Sequence, residues 1–193
     1  MKAIYVKTLY SLLLALMIIE DDLDKIMVFY NYNTNPNYKK YFQKFKNSIE
    51  LSEVYGKNRV FCYFKNYIVN NKLLKIIKRN DIKKIYMQDQ LLLYGQFFLN
   101  NISNCYVVED GTANYSLELI NKTNEEIISK YSKRKYNNIF RFKLKVIDKI
   151  KKVYNVFGIG EKVEKIYLTG VLPVPDIISD KVEIINIKKN GII

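Results

Sequence analysis

The sequence predicts an α/β protein with a Rossmann-like, mainly parallel sheet. Over about the first 120 residues, short apolar runs rich in β-branched and aromatic residues alternate with longer stretches of helical periodicity. The runs are continuously apolar, which is typical of strands that helices cover on both faces. Strands that alternate with helices in this way form βαβ units, whose strands are parallel. The first run lacks a following Gly-x-Gly-x-x-Gly, so the dinucleotide-binding fingerprint is absent.

The elements of this domain follow from the same alternation. The predicted strands are the apolar runs Ala3–Val6, Lys25–Tyr30, Arg59–Phe64, Lys83–Met87 and Cys105–Val108. The predicted helices between them lie from a turn at Lys7-Thr8 to Asp24, and over Tyr38–Leu51, Asn70–Arg79 and Asp89–Leu99.

The apolar first 19 residues have an alternative interpretation as a signal peptide or membrane anchor. Lys7 and Thr8 interrupt the run and leave Leu9–Ile19, which is shorter than the about 20 residues that span a bilayer. Three acidic residues follow in place of a small-residue cleavage site. We therefore expect a buried strand and a helix here.

Composition limits the chemistry. The net charge of +13 favours anionic partners such as nucleic acid, anionic lipid or a charged sugar donor. The chain has no histidine, which excludes Ser-His-Asp and Cys-His catalysis and the usual histidine-containing zinc sites. General acid–base catalysis would therefore use Asp, Glu, Lys or Tyr.

Cys62 and Cys105 lie in apolar runs, so we expect buried free thiols and no disulfide.

The region from 121 to 165 differs from the preceding domain in its excess of basic residues. Between Lys130 and Lys152, ten basic residues and one acid interleave with apolar residues, which predicts a basic amphipathic helix over about 130–156. A solvated charged face, attachment to an anionic membrane surface and nucleic-acid binding are the three interpretations. Nucleic acid is the least favoured, because no recognised motif accompanies the charge. A strand at Lys165–Leu168, an extended proline-containing linker and a strand at Lys181–Ile187 are expected after it.

The segment NCYVVEDGTANYSL, residues 104–117, ends a predicted buried strand with two acids and a glycine. In open α/β sheets, ligands bind beyond the carboxyl ends of the strands, where Glu109 and Asp110 are expected to lie. Gly111 permits a turn with positive φ, and Thr112 or Asn114 is a candidate helix cap. The alternative is a plain strand-to-helix turn with Asp110 as the cap. The same edge is expected to carry the residues that end two other strands: Gln88, Asp89, Lys7 and Thr8.

Three segments carry a family resemblance. VVEDGTAN, residues 107–114, resembles the acid-acid-Gly motif of bacterial sialyltransferases, glycosyltransferase family 52 in particular. AIYVKTLYSLLLALMI is similar to that family's first strand and helix, and IYLTGVLPVPDII resembles the start of its second domain. The three segments occur in the family's order and together extend over most of the chain.

The resemblance implies a GT-B fold, in which two Rossmann-like domains face each other across a cleft. The N-terminal domain of this fold carries the acceptor side and the general base, and the second domain binds CMP-sialic acid. The family's catalytic aspartate falls on Asp110, which would deprotonate the acceptor hydroxyl in an inverting transfer without metal or cofactor. Because successive side chains of an extended segment face opposite ways, we expect Glu109 to pack away from Asp110. The acceptor-side residues implied are Glu109, Gly111, Thr112, Gln88, Asp89, Lys7 and Thr8.

The chain departs from the family pattern in one respect. The family's second domain supplies a histidine-proline motif, and this chain has no histidine. We therefore expect residues 1–165 to be the acceptor-binding domain, and 166–193 to be a linker and the start of a donor-binding domain that is missing from a truncated chain or lies on another chain.

The expected function is transfer of sialic acid to a galactose-type hydroxyl of a surface glycan, lipooligosaccharide or capsule. The expected location is cytoplasmic, peripheral at the anionic inner-membrane surface, with no nucleic-acid partner. One alternative is another sugar-nucleotide transferase of the same family. The other is a non-catalytic basic module that binds membrane or nucleic acid.

Overall fold

A computed structural model describes residues 1–19, 21–31, 36–51, 59–88, 90, 93–133 and 152–186. Within these ranges seven strands form one sheet in the order β3-β2-β1-β4-β5-β6-β7, and every neighbouring pair is parallel. The predicted α/β, Rossmann-like fold is therefore confirmed. The strands are Lys2–Val6 (β1), Ile26–Tyr30 (β2), Ser48–Glu50 (β3), Lys84–Met87 (β4), Asn104–Val108 (β5), Val163–Leu168 (β6) and Val182–Ile184 (β7).

Helices connect these strands. Thr8 begins the first of them, since its Oγ1 accepts a hydrogen bond of 3.2 Å from the backbone N–H of Ser11, the usual N-cap arrangement. Among the described residues the helices are Leu9–Ile19 (α1), Lys39–Phe42 (α2), Arg59–Arg79 (α3), Leu93–Asn101 (α4), Leu117–Lys133 (α5) and Asp176–Ser179 (α6). None of them is both long and apolar enough to cross a membrane.

The central strands of the sheet are buried on both faces. On one face Tyr5 and Phe29 pack against Phe98 of α4, with ring centroids 5.3 and 5.0 Å apart. On the other face Ile4 and its neighbours pack against α1, including Ala15. Full burial of one large apolar side chain contributes about 1.5–3 kcal/mol, so the many side chains of the two apolar layers stabilise the sheet strongly. A stable sheet holds the ends of its strands in fixed positions.

The strand order reverses direction next to β1. The chain runs from β1 through β2 to β3 on one side and then returns to place β4 on the other side of β1. At such a switch point the connections leave in opposite directions and open a crevice beyond the carboxyl ends of the two central strands. The loops after β1 and β4 therefore lie at this crevice, and the loop after β5 lies next to them because β5 pairs with β4.

The predicted strand Arg59–Phe64 is wrong, because these residues form the first turns of α3. A short apolar run does not distinguish a strand from a buried helix by periodicity. The run here is continuous with the correctly predicted helix Asn70–Arg79, and α3 is the crossover that returns the chain to β4. The predicted helix Tyr38–Leu51 is also wrong in its second half, where the edge strand β3 lies.

Two helix limits also differ from the prediction. The helix expected to reach Asp24 ends at Ile19, and a 3₁₀ turn over Leu23–Lys25 follows. The helix expected over Asp89–Leu99 is described from Leu93, and Asp89 lies outside the described residues.

The C-terminal part extends the same sheet. The predicted boundary between 165 and 166 falls inside β6, which pairs with β5, and β7 pairs with β6. A further donor-binding domain remains a prediction. The predicted basic helix falls mostly on 134–151, outside the described residues; α5 ends at Lys133, and 152–156 are not helical.

Candidate active site

Gln88 connects the loops at the switch point. It follows β4, is 5% exposed, and its backbone N–H donates to the carbonyl oxygen of Tyr5 on β1 at 3.0 Å. Its side-chain Oε1 accepts from the backbone N–H groups of Lys7 and Thr8 at 2.9 and 3.2 Å, and from Thr8 Oγ1 at 3.4 Å. Its Nε2 donates to Oδ1 of Asp110 in the loop after β5. One buried amide thus joins the ends of three strands.

Asp110 is presented at this edge on an exposed side chain. Its backbone N–H donates to Oδ1 of Asn114 at 2.7 Å, which closes the loop. Gly111 follows with φ +85° and ψ −151°, a combination that is almost restricted to glycine, and a 3₁₀ turn begins at the exposed Thr112. The backbone therefore turns sharply after Asp110 and leaves its carboxylate at the crevice.

The cap of the following helix is Ser116. Its Oγ accepts from the backbone N–H of Leu119 at 3.3 Å, at the start of α5. The expectations that Thr112 or Asn114 caps this helix, or that Asp110 does so as part of a plain turn, are therefore not met. The acidic turn is separated from α5 by a 3₁₀ turn of its own.

Glu109, the neighbouring acid, points into the protein and is 2% exposed. Its Oε1 accepts from the hydroxyl of Tyr10 at 2.6 Å. Its Oε2 accepts from the hydroxyl of Tyr115 at 2.7 Å and from both the backbone N–H and the hydroxyl of Thr169, at 2.6 and 2.8 Å. The hydroxyl of Ser11 donates to its carbonyl oxygen at 3.0 Å. Glu109 thereby ties α1, the loop after β5 and the loop after β6 together.

Hydrogen bonding decides the charge of this buried carboxyl. Burial by itself raises the pKa of Glu109, but the bonds donated by Thr169, Tyr10 and Tyr115 more than offset it and hold the pKa below its ordinary value. Burial and the bond to Glu109 raise the pKa of Tyr10 to about 12. Burial, followed by the same carboxylate, also raises the pKa of Tyr115. Glu109 is therefore ionised, and both tyrosines keep the protons that they donate.

The two adjacent acids have different environments. The expected alternation is seen, since Glu109 is enclosed by protein donors while Asp110 is exposed beside Gln88. The structure brings Lys7, Thr8, Gln88, Glu109, Asp110, Gly111 and Thr112 to one edge of the sheet; Asp89 lies outside the described residues. Within the described part of the chain, no three Cys, Asp or Glu side chains form a group able to hold a metal ion.

The sequence interpretation missed the donors around Glu109. Thr169 directly follows β6, so its position at a strand's carboxyl end was a usable signal. Tyr10 and Tyr115 carried none, because one lies in the first turn of an apolar helix and the other in a 3₁₀ turn. Their roles depend on which loops the fold brings together.

Comparison with known proteins identifies the family. The model of glycosyltransferase family 52 matches residues 24–191, which is most of the chain. Neither a comparison with curated proteins nor one with solved structures found a significant match. The family match includes β5 and the acidic loop after it, which had suggested the same family. The chain therefore belongs to glycosyltransferase family 52.

Proposed function

We propose that this chain forms the acceptor side of a sialyltransferase of GT-B architecture and that Asp110 is its general base. One observation supports the proposal above the others. Asp110 is an exposed carboxylate at the switch-point edge, and Gln88 holds one of its oxygens, while the adjacent Glu109 is buried and committed to structural bonds. Family membership indicates glycosyl transfer as the reaction.

The proposed reaction needs one carboxylate on the acceptor side. A sugar hydroxyl is a weak nucleophile, and a positioned base that takes its proton contributes about 10²–10⁴-fold. The acceptor oxygen bonds to the anomeric carbon of sialic acid, the bond from that carbon to the phosphate oxygen of CMP breaks, and the hydroxyl proton passes to Asp110. Attack opposite the leaving CMP inverts the configuration. No metal or cofactor takes part in the proposed step.

The acceptor is proposed to be a galactose-terminated glycan of lipooligosaccharide or capsule. Lys7 and Thr8, which follow β1, and Thr112 of the acidic loop lie at the same edge and offer polar groups for sugar hydroxyls. The net charge of +13 favours encounter with an anionic donor such as CMP-sialic acid, and with an anionic membrane surface on the cytoplasmic side. The donor is proposed to bind to a second domain that faces this edge.

Asp110→Asn tests the base. The protein assayed is this chain joined to the donor-binding domain of another family member, supplied with CMP-sialic acid and a galactose-terminated acceptor. Because asparagine keeps the shape but takes no proton, kcat is expected to fall about 10²-fold or more, with a melting temperature close to that of the wild type. Asp180→Asn, at an exposed aspartate after α6, is the matched control and should retain full activity. Normal transfer by a folded Asp110→Asn protein would contradict the proposal.

A further inference from the structure

The amide of Gln88 has a defined orientation. An amide oxygen accepts hydrogen bonds and an amide nitrogen donates them. The atom that faces the β1–α1 loop meets two backbone N–H groups, those of Lys7 and Thr8, at 2.9 and 3.2 Å, so it must be the oxygen. The nitrogen therefore faces Asp110, whose Oδ1 accepts from it. Turning the amide over would set donor against donor on one side and acceptor against acceptor on the other.

This orientation is held by rigid parts of the fold. The backbone of Gln88 is anchored on β1 through the carbonyl oxygen of Tyr5, and the side chain is 5% exposed. The Thr8 hydroxyl, which caps α1, is also within 3.4 Å of the same oxygen. The bond to Asp110 is charge-assisted, a class roughly twice as strong as neutral hydrogen bonds. The Asp110 carboxylate is thus held by the Gln88 amide, which is itself prevented from rotating.

We propose that Gln88 is a positioning residue, which holds the Asp110 carboxylate in one rotamer at the mouth of the crevice. The catalytic consequence rests on the function proposed above, whereas the positioning itself does not. Gln88 is buried and its side-chain amide is engaged by the β1–α1 loop and the acidic loop, so it acts through Asp110 rather than by contact with the acceptor sugar.

Gln88→Glu separates positioning from a merely structural role. Glutamate keeps the length and the oxygen that accepts from Lys7 and Thr8, so the anchoring of the β1–α1 loop is retained. At a pH where both carboxyl groups are ionised, it replaces the donor facing Asp110 by an oxygen of like charge, which repels the carboxylate. Gln90→Glu is the matched control: Gln90 is 2% exposed, lies two residues further along, and its Oε1 accepts from the backbone N–H of Gly158 at 3.3 Å.

The first experiment uses the 193-residue chain itself. Three-bond couplings measured by NMR report the χ1 rotamer of Asp110 in the wild type, in Gln88→Glu and in Gln90→Glu. We expect one rotamer in the wild type and in the control, and a different or averaged rotamer in Gln88→Glu. Retention of the wild-type rotamer in Gln88→Glu overturns the inference. If Gln88→Glu does not fold, Gln88→Met, which keeps the length and removes the donor, decides by the same criterion.

The second experiment uses the transfer assay. A displaced base costs rate rather than binding, so we expect kcat of Gln88→Glu to fall about 10- to 100-fold, with an acceptor KM close to that of the wild type. Adding Gln88→Glu to Asp110→Asn should lower kcat little further, because both changes act on one group. A normal kcat in Gln88→Glu, or full additivity with Asp110→Asn, overturns the catalytic consequence. Normal transfer by Asp110→Asn alone would reject the proposed function and leave the NMR result to decide the positioning.

Discussion

Glu109→Gln is expected to lower the free energy of unfolding by about 1–3 kcal/mol at neutral pH. The Oε2 atom accepts three hydrogen bonds, from Tyr115 and twice from Thr169, and Oε1 accepts one from Tyr10. Glutamine keeps the three bonds at its oxygen but without the charge, at a loss of about 1 kcal/mol each. The Tyr10 hydroxyl must turn to accept from the new amide. Easier burial of a neutral group offsets part of the loss.

The loss of stability in Glu109→Gln is expected to depend on pH. Because hydrogen bonds outweigh burial, the pKa of Glu109 in the folded protein lies below its value in the unfolded chain. The ionised carboxylate therefore stabilises fully above the unfolded pKa, and this contribution is lost as the pH falls through the folded pKa. Glutamine does not titrate. The stability difference between wild type and Glu109→Gln should be constant near neutral pH and shrink below about pH 4.

Urea unfolding followed by far-UV circular dichroism at pH 7 and pH 3 measures this difference. Glu183→Gln is the matched control: Glu183 is paired with Lys165 at 2.6 Å, but both side chains are about half exposed. Exposed pairs contribute about 0–1 kcal/mol, so the control should differ little from the wild type at either pH. Equal stability of Glu109→Gln and wild type at pH 7, or a difference that stays undiminished at pH 3, would refute the reasoning.

Three other predictions concern packing and burial. Gly158→Ala should lose about 2–4 kcal/mol on thermal unfolding, because φ is +87° and a Cβ would meet a buried side chain of β6. Gly160→Ala, at φ +110°, would place its Cβ no closer than 3.7 Å to Asn155, an ordinary contact, and should lose clearly less, so equal losses would contradict the packing argument. Tyr115→Phe should cost about 1–3 kcal/mol by removing a donor to buried Glu109, and an unchanged melting temperature would contradict this. Cys105 is buried and burial raises its pKa to about 12, so mass-spectrometric mapping should find it alkylated only after unfolding, and rapid native labelling would contradict its burial.

The sequence by itself determined the fold class and most of the strands. β1, β2, β4, β5 and β6 overlap the apolar runs that predicted them, because the buried positions of a strand covered on both faces need apolar side chains. The position of Asp110 at a strand's carboxyl end also followed from local pattern, since an acid-acid-Gly turn directly ends β5.

Tertiary structure decided the elements whose local pattern is ambiguous. The apolar run Arg59–Phe64 is compatible with a strand and with a buried helix. It is helical because the chain must cross from β3 to β4 at that point. The edge strand β3 has three residues, too few for a periodicity of its own, and it exists because β2 offers a parallel partner.

Tertiary structure alone decided the partners of the two acids. Gln88 and Asp110 are 22 residues apart, Thr169 is 60 residues from Glu109, and Tyr10 is 99 residues from it. No local pattern encodes such pairs. They form because parallel pairing of β1, β4, β5 and β6 brings the carboxyl ends of these strands to one edge. The alternation of side chains then sends Glu109 inward to its donors and leaves Asp110 at the crevice beside Gln88.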